Sequence, residues 1–249
     1  MTEPLLVAKN LTKRFGGLAA VNNISISLYR NTIHAVIGPN GAGKSTLTNL
    51  LAGDFLPTSG SIHINGKDMT TATPEERSRN GLGRSYQKTN ILLPLTVWDN
   101  VYLAAQSRAQ HPFSWLTNAT NFVAARAITT LTIEQSGLQN RTQYIAATLS
   151  HGEQRQLEIA MALATQPQVL LLDEPLAGMG ALEASTMIAL LQTLKKDHAI
   201  LLVEHDMDAV FALADTLTVM VNGQMIASDK PAEIRANAAV QAAYLGEEH

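Results

Sequence analysis

Gly38-Pro39-Asn40-Gly41-Ala42-Gly43-Lys44-Ser45 follows a dense apolar run, residues 33–37, and precedes a stretch, residues 44–52, that reads as a helix. Two glycines, a lysine and a serine at this spacing, between a strand and a helix, are what a chain needs to wrap an anion. The glycines let the backbone curl until its N–H groups converge, and the helix start adds the positive end of its dipole. Lys44 then reaches the β- and γ-phosphates of a nucleoside triphosphate, and the Ser45 hydroxyl is a ligand for Mg²⁺. Asn40, Gly41, Ala42, Gly43 and Thr46 complete the cradle. The blander alternative is a glycine-rich turn ahead of an ordinary helix. It is disfavoured because both flanking elements are present.

A second acidic element supports the first. Val169-Leu170-Leu171-Leu172 is a strand buried on both faces, and Asp173-Glu174 closes it. In open parallel sheets that end of a strand faces the ligand crevice. Asp173 is placed to hold Mg²⁺, usually through water, and Glu174 to orient or deprotonate the attacking water. Residues 199–203 form another buried strand, followed by Glu204-His205-Asp206, so His205 is expected at the same edge, where the γ-phosphate should lie.

Working outward, the first 35 residues read as β, with Ile24-Ser25-Ile26-Ser27-Leu28 alternating as a strand with one wet face does. Ser61-Ile62-His63-Ile64 runs into Asn65-Gly66, and residues 217–221 run into Asn222-Gly223, two hairpin signals. Thr73-Pro74-Glu75-Glu76 carries a cap, a first-turn proline and a glutamate three residues after the cap, so a helix starts there. Between about 86 and 165 the strand-like runs vanish and Ala, Leu, Gln and Arg dominate, the mark of a helical insertion. Helices are also expected at 181–195 and from Pro231 onward. The expected organisation is one domain, with residues 1–86 and 166–249 as its α/β core and 87–165 as a helical subdomain.

Composition narrows the function classes. The 249 residues hold 18 Lys+Arg against 21 Asp+Glu, a net charge of −3, which argues against a nucleic-acid partner needing a basic field. The lack of cysteine removes disulfides, thiol catalysis and cysteine-ligated metals. No secretion signal is visible at the start, and the apolar runs fall far short of the ~20 residues of a spanning helix. The chain is expected not to cross a membrane. Only 16% of residues are charged, against about 25% typically, which leaves room for surfaces covered by partners. The sequons at Asn10, Asn23 and Asn118 read as chance matches.

Leu149-Ser150-His151-Gly152-Glu153-Gln154 resembles the signature motif of ATP-binding cassette (ABC) proteins and lies about 20 residues before the Asp-Glu strand, as in that family. Gln87 matches its Q-loop, His205 its switch histidine, and Phe15 the aromatic that stacks on adenine. The resemblance covers essentially the whole chain. It implies a RecA-like P-loop NTPase core with a mainly parallel sheet, an N-terminal antiparallel β subdomain and an inserted helical subdomain. It also implies a head-to-tail dimer, with itself or with a sister ATPase, closing on two ATP molecules. Ser150 and Gly152 would then contact the γ-phosphate bound across the interface, and Gln87 would sense Mg²⁺ and the attacking water. Ser150 also has a local reading as the start of a capping box with Glu153.

Finer features resemble one branch. Leu157-Glu158-Ile159-Ala160, Leu176-Ala177-Gly178-Met179, Val203-Glu204-His205-Asp206-Met207 and Ala243-Tyr244-Leu245-Gly246 are similar to the ATPase subunits of branched-chain (hydrophobic) amino-acid importers. Urea-importer and lipopolysaccharide-export ATPases are close relatives of that branch. The partners implied are transmembrane permease subunits and, indirectly, a solute-binding protein, with the chain peripheral at the cytoplasmic face of the inner membrane. A soluble ABC ATPase of DNA repair or translation would carry long coiled coils or two cassettes, and this chain has neither. A nucleotide binder without turnover would be expected to lose Glu174 or His205.

Some positions depart from the family pattern. His151 and Glu153 replace a commoner glycine and glutamine, and a further carboxylate near a triphosphate is expected to weaken closure. Gly180 stands where the family usually places Asp or Asn in the loop that crosses the dimer, and Met161 where many relatives carry arginine. None of these touches Lys44, Asp173, Glu174 or His205, so a hydrolysis-competent chain is expected.

Overall fold

The structure, a computed structural model, describes residues 3–85, 90–109 and 119–242. Gln87, Asn118 and the 243–246 motif lie outside the described residues. In chain order the strands are β1 (Leu6–Phe15), β2 (Leu18–Leu28), β3 (Thr32–Ile37), β4 (Ser59–Ile64), β5 (Lys67–Asp68), β6 (Leu82–Arg84), β7 (Val169–Asp173), β8 (Ala199–Val203), β9 (Thr216–Val221) and β10 (Gln224–Asp229). The helices are α1 (Lys44–Ala52), α2 (Pro74–Arg79), α3 (Val97–Ala109), α4 (Ala119–Gln135), α5 (His151–Ala164), α6 (Ala181–Leu194), α7 (Met207–Leu213), α8 (Pro231–Ala236) and α9 (Ala238–Val240).

The chain divides into two compact units. The first comprises Met1–Leu82, Gln168–Glu174 and Leu194–His249. It holds an antiparallel sheet in the order β2-β1-β4-β5 and most of a larger sheet ordered β10-β9-β3-β8-β7-β6. In the larger sheet β3 is parallel to both β8 and β9, β7 is parallel to β8, and β10 runs antiparallel to β9. Strands β7 and β8 are buried at every residue, as parallel strands covered on both faces must be. In β2, by contrast, Ile24, Ile26 and Leu28 are buried and Ser25 is exposed, so one face of the smaller sheet is wet.

Two asparagines explain how β1 and β2 stay paired. Asn10 and Asn23 take φ of 50° and 55° where the register between the strands slips, and asparagine tolerates the left-handed region better than most residues. Within β3, His34 is buried against the Thr218 hydroxyl at 2.8 Å. Its burial pushes the imidazole down to about 4, so it stays neutral near pH 7. Helix α1 ends over a fully buried Arg77, whose guanidinium donates to the carbonyls of Leu50, Leu51, Thr70 and Ala72. Those carbonyls include two that the helix cannot satisfy itself.

The second unit comprises Gly83–Pro167 and Pro175–Thr193. Its core is apolar residues of α3, α4 and α5, with Val97, Val101, Ala125, Ile133, Leu157 and Ala160 at its centre. The hairpin turns at Asn65-Gly66 and Asn222-Gly223 form as expected, with positive φ at all four residues. The Thr73 capping box is present in full. The helix expected from Pro231 onward is interrupted, because the Asn237 side chain accepts the amides of Ala239 and Val240 and so starts a new turn. Helix α7, unforeseen, is capped by Asp206, which accepts the amides of Asp208 and Ala209. Among the described residues no helix is long and apolar enough to cross a membrane.

Candidate functional site

Strand β3 delivers the chain into the glycine loop at the C-terminal edge of the parallel strands. Close packing dictates the glycines there. A Cβ on Gly38 would lie 2.1 Å from the Met220 carbonyl oxygen, and one on Gly43 would lie 2.2 Å from that of Ala20. Gly43 also takes φ 100° as the N-cap of α1, which no side chain caps. The first amides of α1 therefore face the loop. Lys44, the first helical residue, folds back so that Nζ donates to the Gly38 and Pro39 carbonyls at 2.6 and 3.1 Å. Its ammonium is thus held against the loop that a phosphate would enter.

Strands β7 and β8 bring the acids to the same place. Asp173 ends β7, 2% exposed, opposite Val203. Glu174 extends the ladder by one more bond, its N–H donating to the Val203 carbonyl at 2.8 Å, and then takes φ 49°. A non-glycine residue held there costs about 1–3 kcal/mol, a strain typical of functional positions. Partial burial pushes the Lys44 ammonium below its ordinary value, while the nearby carboxylates of Glu174 and Asp173 pull it back up. The three groups therefore share one field. His205 follows β8, with Nδ1 4.0 Å from Glu174 Oε1 and 3.9 Å from the buried Glu204.

Phe15 ends β1, 46% exposed. Phe55 meets it edge-on with ring centroids 5.6 Å apart, and the Lys13 ammonium sits 5.2 Å from its centroid while donating to the Leu56 carbonyl. The ring is thus held fixed with surface to spare for a flat base.

In the second unit, Ser150 is the N-cap of α5. Its Oγ accepts the Glu153 N–H, and Glu153 Oε2 accepts the Ser150 N–H at 2.9 Å. The local reading of Ser150 is therefore correct as structure. Glu153 Oε1 also accepts Arg141 Nε at 2.6 Å, so the carboxylate suspected of opposing a triphosphate already has a cationic partner. A different carboxylate stands at this helix start, that of Glu183, which accepts from Ser150 Oγ at 2.8 Å and from the Gly152 N–H at 3.3 Å. Sequence reasoning missed it because its partners lie more than thirty positions away. It stands in the first turn of α6, a common place for an acid that simply faces a helix dipole. Gly180, where the family usually has Asp or Asn, has open space where a Cβ would stand.

The first unit thus brings together Lys44, Asp173, Glu174 and His205, and it also carries Phe15 and the rest of the glycine loop. Ser150 and Gly152 share the start of α5 in the second unit. Gln87 lies outside the described residues.

Comparison with known proteins agrees with this arrangement. The family model described as ABC transporter matches residues 21–177, and one described as branched-chain amino acid ATP-binding cassette transporter matches residues 224–249. The chain is 38% identical over 256 residues to the high-affinity branched-chain amino acid transport ATP-binding protein LivG of Escherichia coli (strain K12), covering 99% of this chain and all of that one. It is 35% identical over 263 residues to BraF, of the same description, from Pseudomonas aeruginosa, again covering 99% and 100%. Among solved structures, the ADP conformation of an ATP-binding cassette of an ABC transporter superposes with a TM-score of 0.86 at 30% identity, covering 99% of this chain and all of the other. A nucleotide-free cassette gives 0.85 at 30% identity over 98% and 100%.

Proposed function

This chain belongs to the ABC transporter family as an ATP-binding subunit that hydrolyses ATP, and from that premise we propose that it drives import of branched-chain or other hydrophobic amino acids through separate permease subunits. The observation that carries the cargo is the likeness to LivG and BraF, which spans nearly the whole chain; a branched-chain model also matches residues 224–249. The partners are permease subunits, a second ATPase subunit (a copy or a sister chain) and, at one remove, a solute-binding protein. The chain sits peripherally on the cytoplasmic face of the membrane.

ATP stacks its base on Phe15 and lays its phosphates against the amides of the glycine loop and α1. Lys44 then exchanges its bonds to the Gly38 and Pro39 carbonyls for phosphate oxygens. The Ser45 hydroxyl at the start of α1 and the Asp173 carboxylate at the end of β7 are hard oxygen donors, the class that suits Mg²⁺. When bound, the ion supplies charge neutralisation at the phosphates. Glu174 accepts a proton from the attacking water, and His205, beside it, contacts the γ-phosphate. Ser150 and Gly152 bind the γ-phosphate of the nucleotide held by the facing subunit, so that ATP closes the pair and hydrolysis reopens it.

The test is isolation of the chain from its native membranes in mild detergent, followed by reconstitution into vesicles. Permease subunits should co-purify, and ATP should drive uptake of leucine or valine. ATP-driven movement of urea instead, or recovery of the chain with ribosomes or DNA and no permease, would overturn the proposal.

A further inference from the structure

The start of α5 already holds an anion. Glu183 Oε1 accepts both the Ser150 hydroxyl, at 2.8 Å, and the Gly152 N–H, at 3.3 Å, while Oε2 accepts the Gly180 N–H at 3.4 Å. The fit is close, since a Cβ on Gly152 would lie 2.9 Å from Glu183 Cδ. These bonds hold the carboxyl below its ordinary value, so it is ionised at neutral pH. The site is a cavity of about 380 Å³ lined by Ser150, Gly152, Glu153, Glu183 and Arg141. Of its two carboxylates, Glu153 is engaged by Arg141 and by the Ser150 amide. Glu183 takes the two donors that a phosphate would need, the Ser150 hydroxyl and the Gly152 N–H, besides the Gly180 N–H.

Resting on the reading of Ser150 and Gly152 as γ-phosphate contacts, we propose that Glu183 is a built-in competitor for that phosphate. It occupies the α5 anion site in the open chain and must leave before the facing subunit's nucleotide can enter. One hydroxyl and one amide cannot serve two anions, and two negative groups at contact distance repel. Closure then requires enough bound ATP to displace the carboxylate. Glu183 raises the ATP concentration at which the dimer shuts and speeds reopening once the γ-phosphate is gone. The device keeps the pair from closing on ADP, which has no γ-phosphate to take the carboxylate's place.

The test uses the full chain carrying Glu174→Gln, assembled with the permease and second ATPase subunit isolated with it. The ATP concentration giving half-maximal closure is read by cross-linking across the interface. Glu183→Gln, nearly isosteric, and Glu183→Ala should each lower it about tenfold, the scale of one charge-assisted hydrogen bond. Binding of a fluorescent ATP analogue to the isolated chain should be unchanged in both, which shows the glycine loop intact. An unchanged half-closing concentration overturns the proposal. So does a raised one, which would make Glu183 an orienting group for Ser150. Ser150→Arg is the control: if it closes as readily as its parent, or if the parent never closes with ATP, the underlying reading of the signature motif has failed, and the competitor falls with it.

Discussion

At the start of α1 the N-cap is Gly43, no side chain caps the helix and no acidic residue stands in its first turn. At the start of α5 the N-cap is Ser150, closed into a capping box with Glu153 and bonded to Glu183. Both ends carry the same dipole and the same unsatisfied amides. One presents them to a guest, with Lys44 held against the loop. The other satisfies them with the chain's own oxygens. On the proposed reading the first holds the nucleotide and the second takes a phosphate only while two subunits are pressed together, so the choice of cap would assign affinity and switching to different helices.

The sharpest way to break this contrast is at α1. Lys44→Ala should lower ATP binding and turnover by about 10²–10³-fold, the scale of losing a preorganised charged donor. Fluorescent-nucleotide titration and ATPase rates would check it, and wild-type affinity would mean the loop amides alone hold the nucleotide. The far end of α1 is next. Arg77→Met removes a fully buried donor from the carbonyls of Leu50, Leu51, Thr70 and Ala72, so urea unfolding should show a loss of about 1–3 kcal/mol or more, the cost of leaving buried acceptors unsatisfied. At α5 the same measurement on Ser150→Ala should show only about 1 kcal/mol, the usual cost of a lost cap. The closing function should suffer separately from stability. Smallest of all, Gly180→Asn enters open space and should change stability by no more than about 0.5 kcal/mol. It offers a clean test of whether the family's usual side chain there alters cooperation between the two ATPase subunits.

Much of the first unit was legible because its signals are local. The glycine loop, the buried runs at β7 and β8, the Thr73 capping box and the two Asn-Gly hairpins each announce themselves within a few residues. The extent of α1 also follows from its flanking glycines, Gly43 and Gly53. What escaped depends on distance along the chain. Glu183 matters because it meets Ser150, and Arg77 because it meets Leu50 and Leu51, pairings that no periodicity encodes. Helix α7 is not among the expected helices although Asp206 is a good cap, because seven residues are too few to show a helical period. Glu153, read as a liability, turned out to be tied to Arg141 twelve residues before it.

Glu174, strained just past the end of β7, is proposed to activate the water that cleaves ATP. Single-turnover hydrolysis by Glu174→Gln measures it most directly, with ATP binding followed in parallel. The amide should leave ATP affinity near that of the unchanged chain and slow cleavage by about 10²–10⁴-fold. Cleavage at the unchanged rate, with ATP bound, would contradict the assignment and leave the proton without its acceptor.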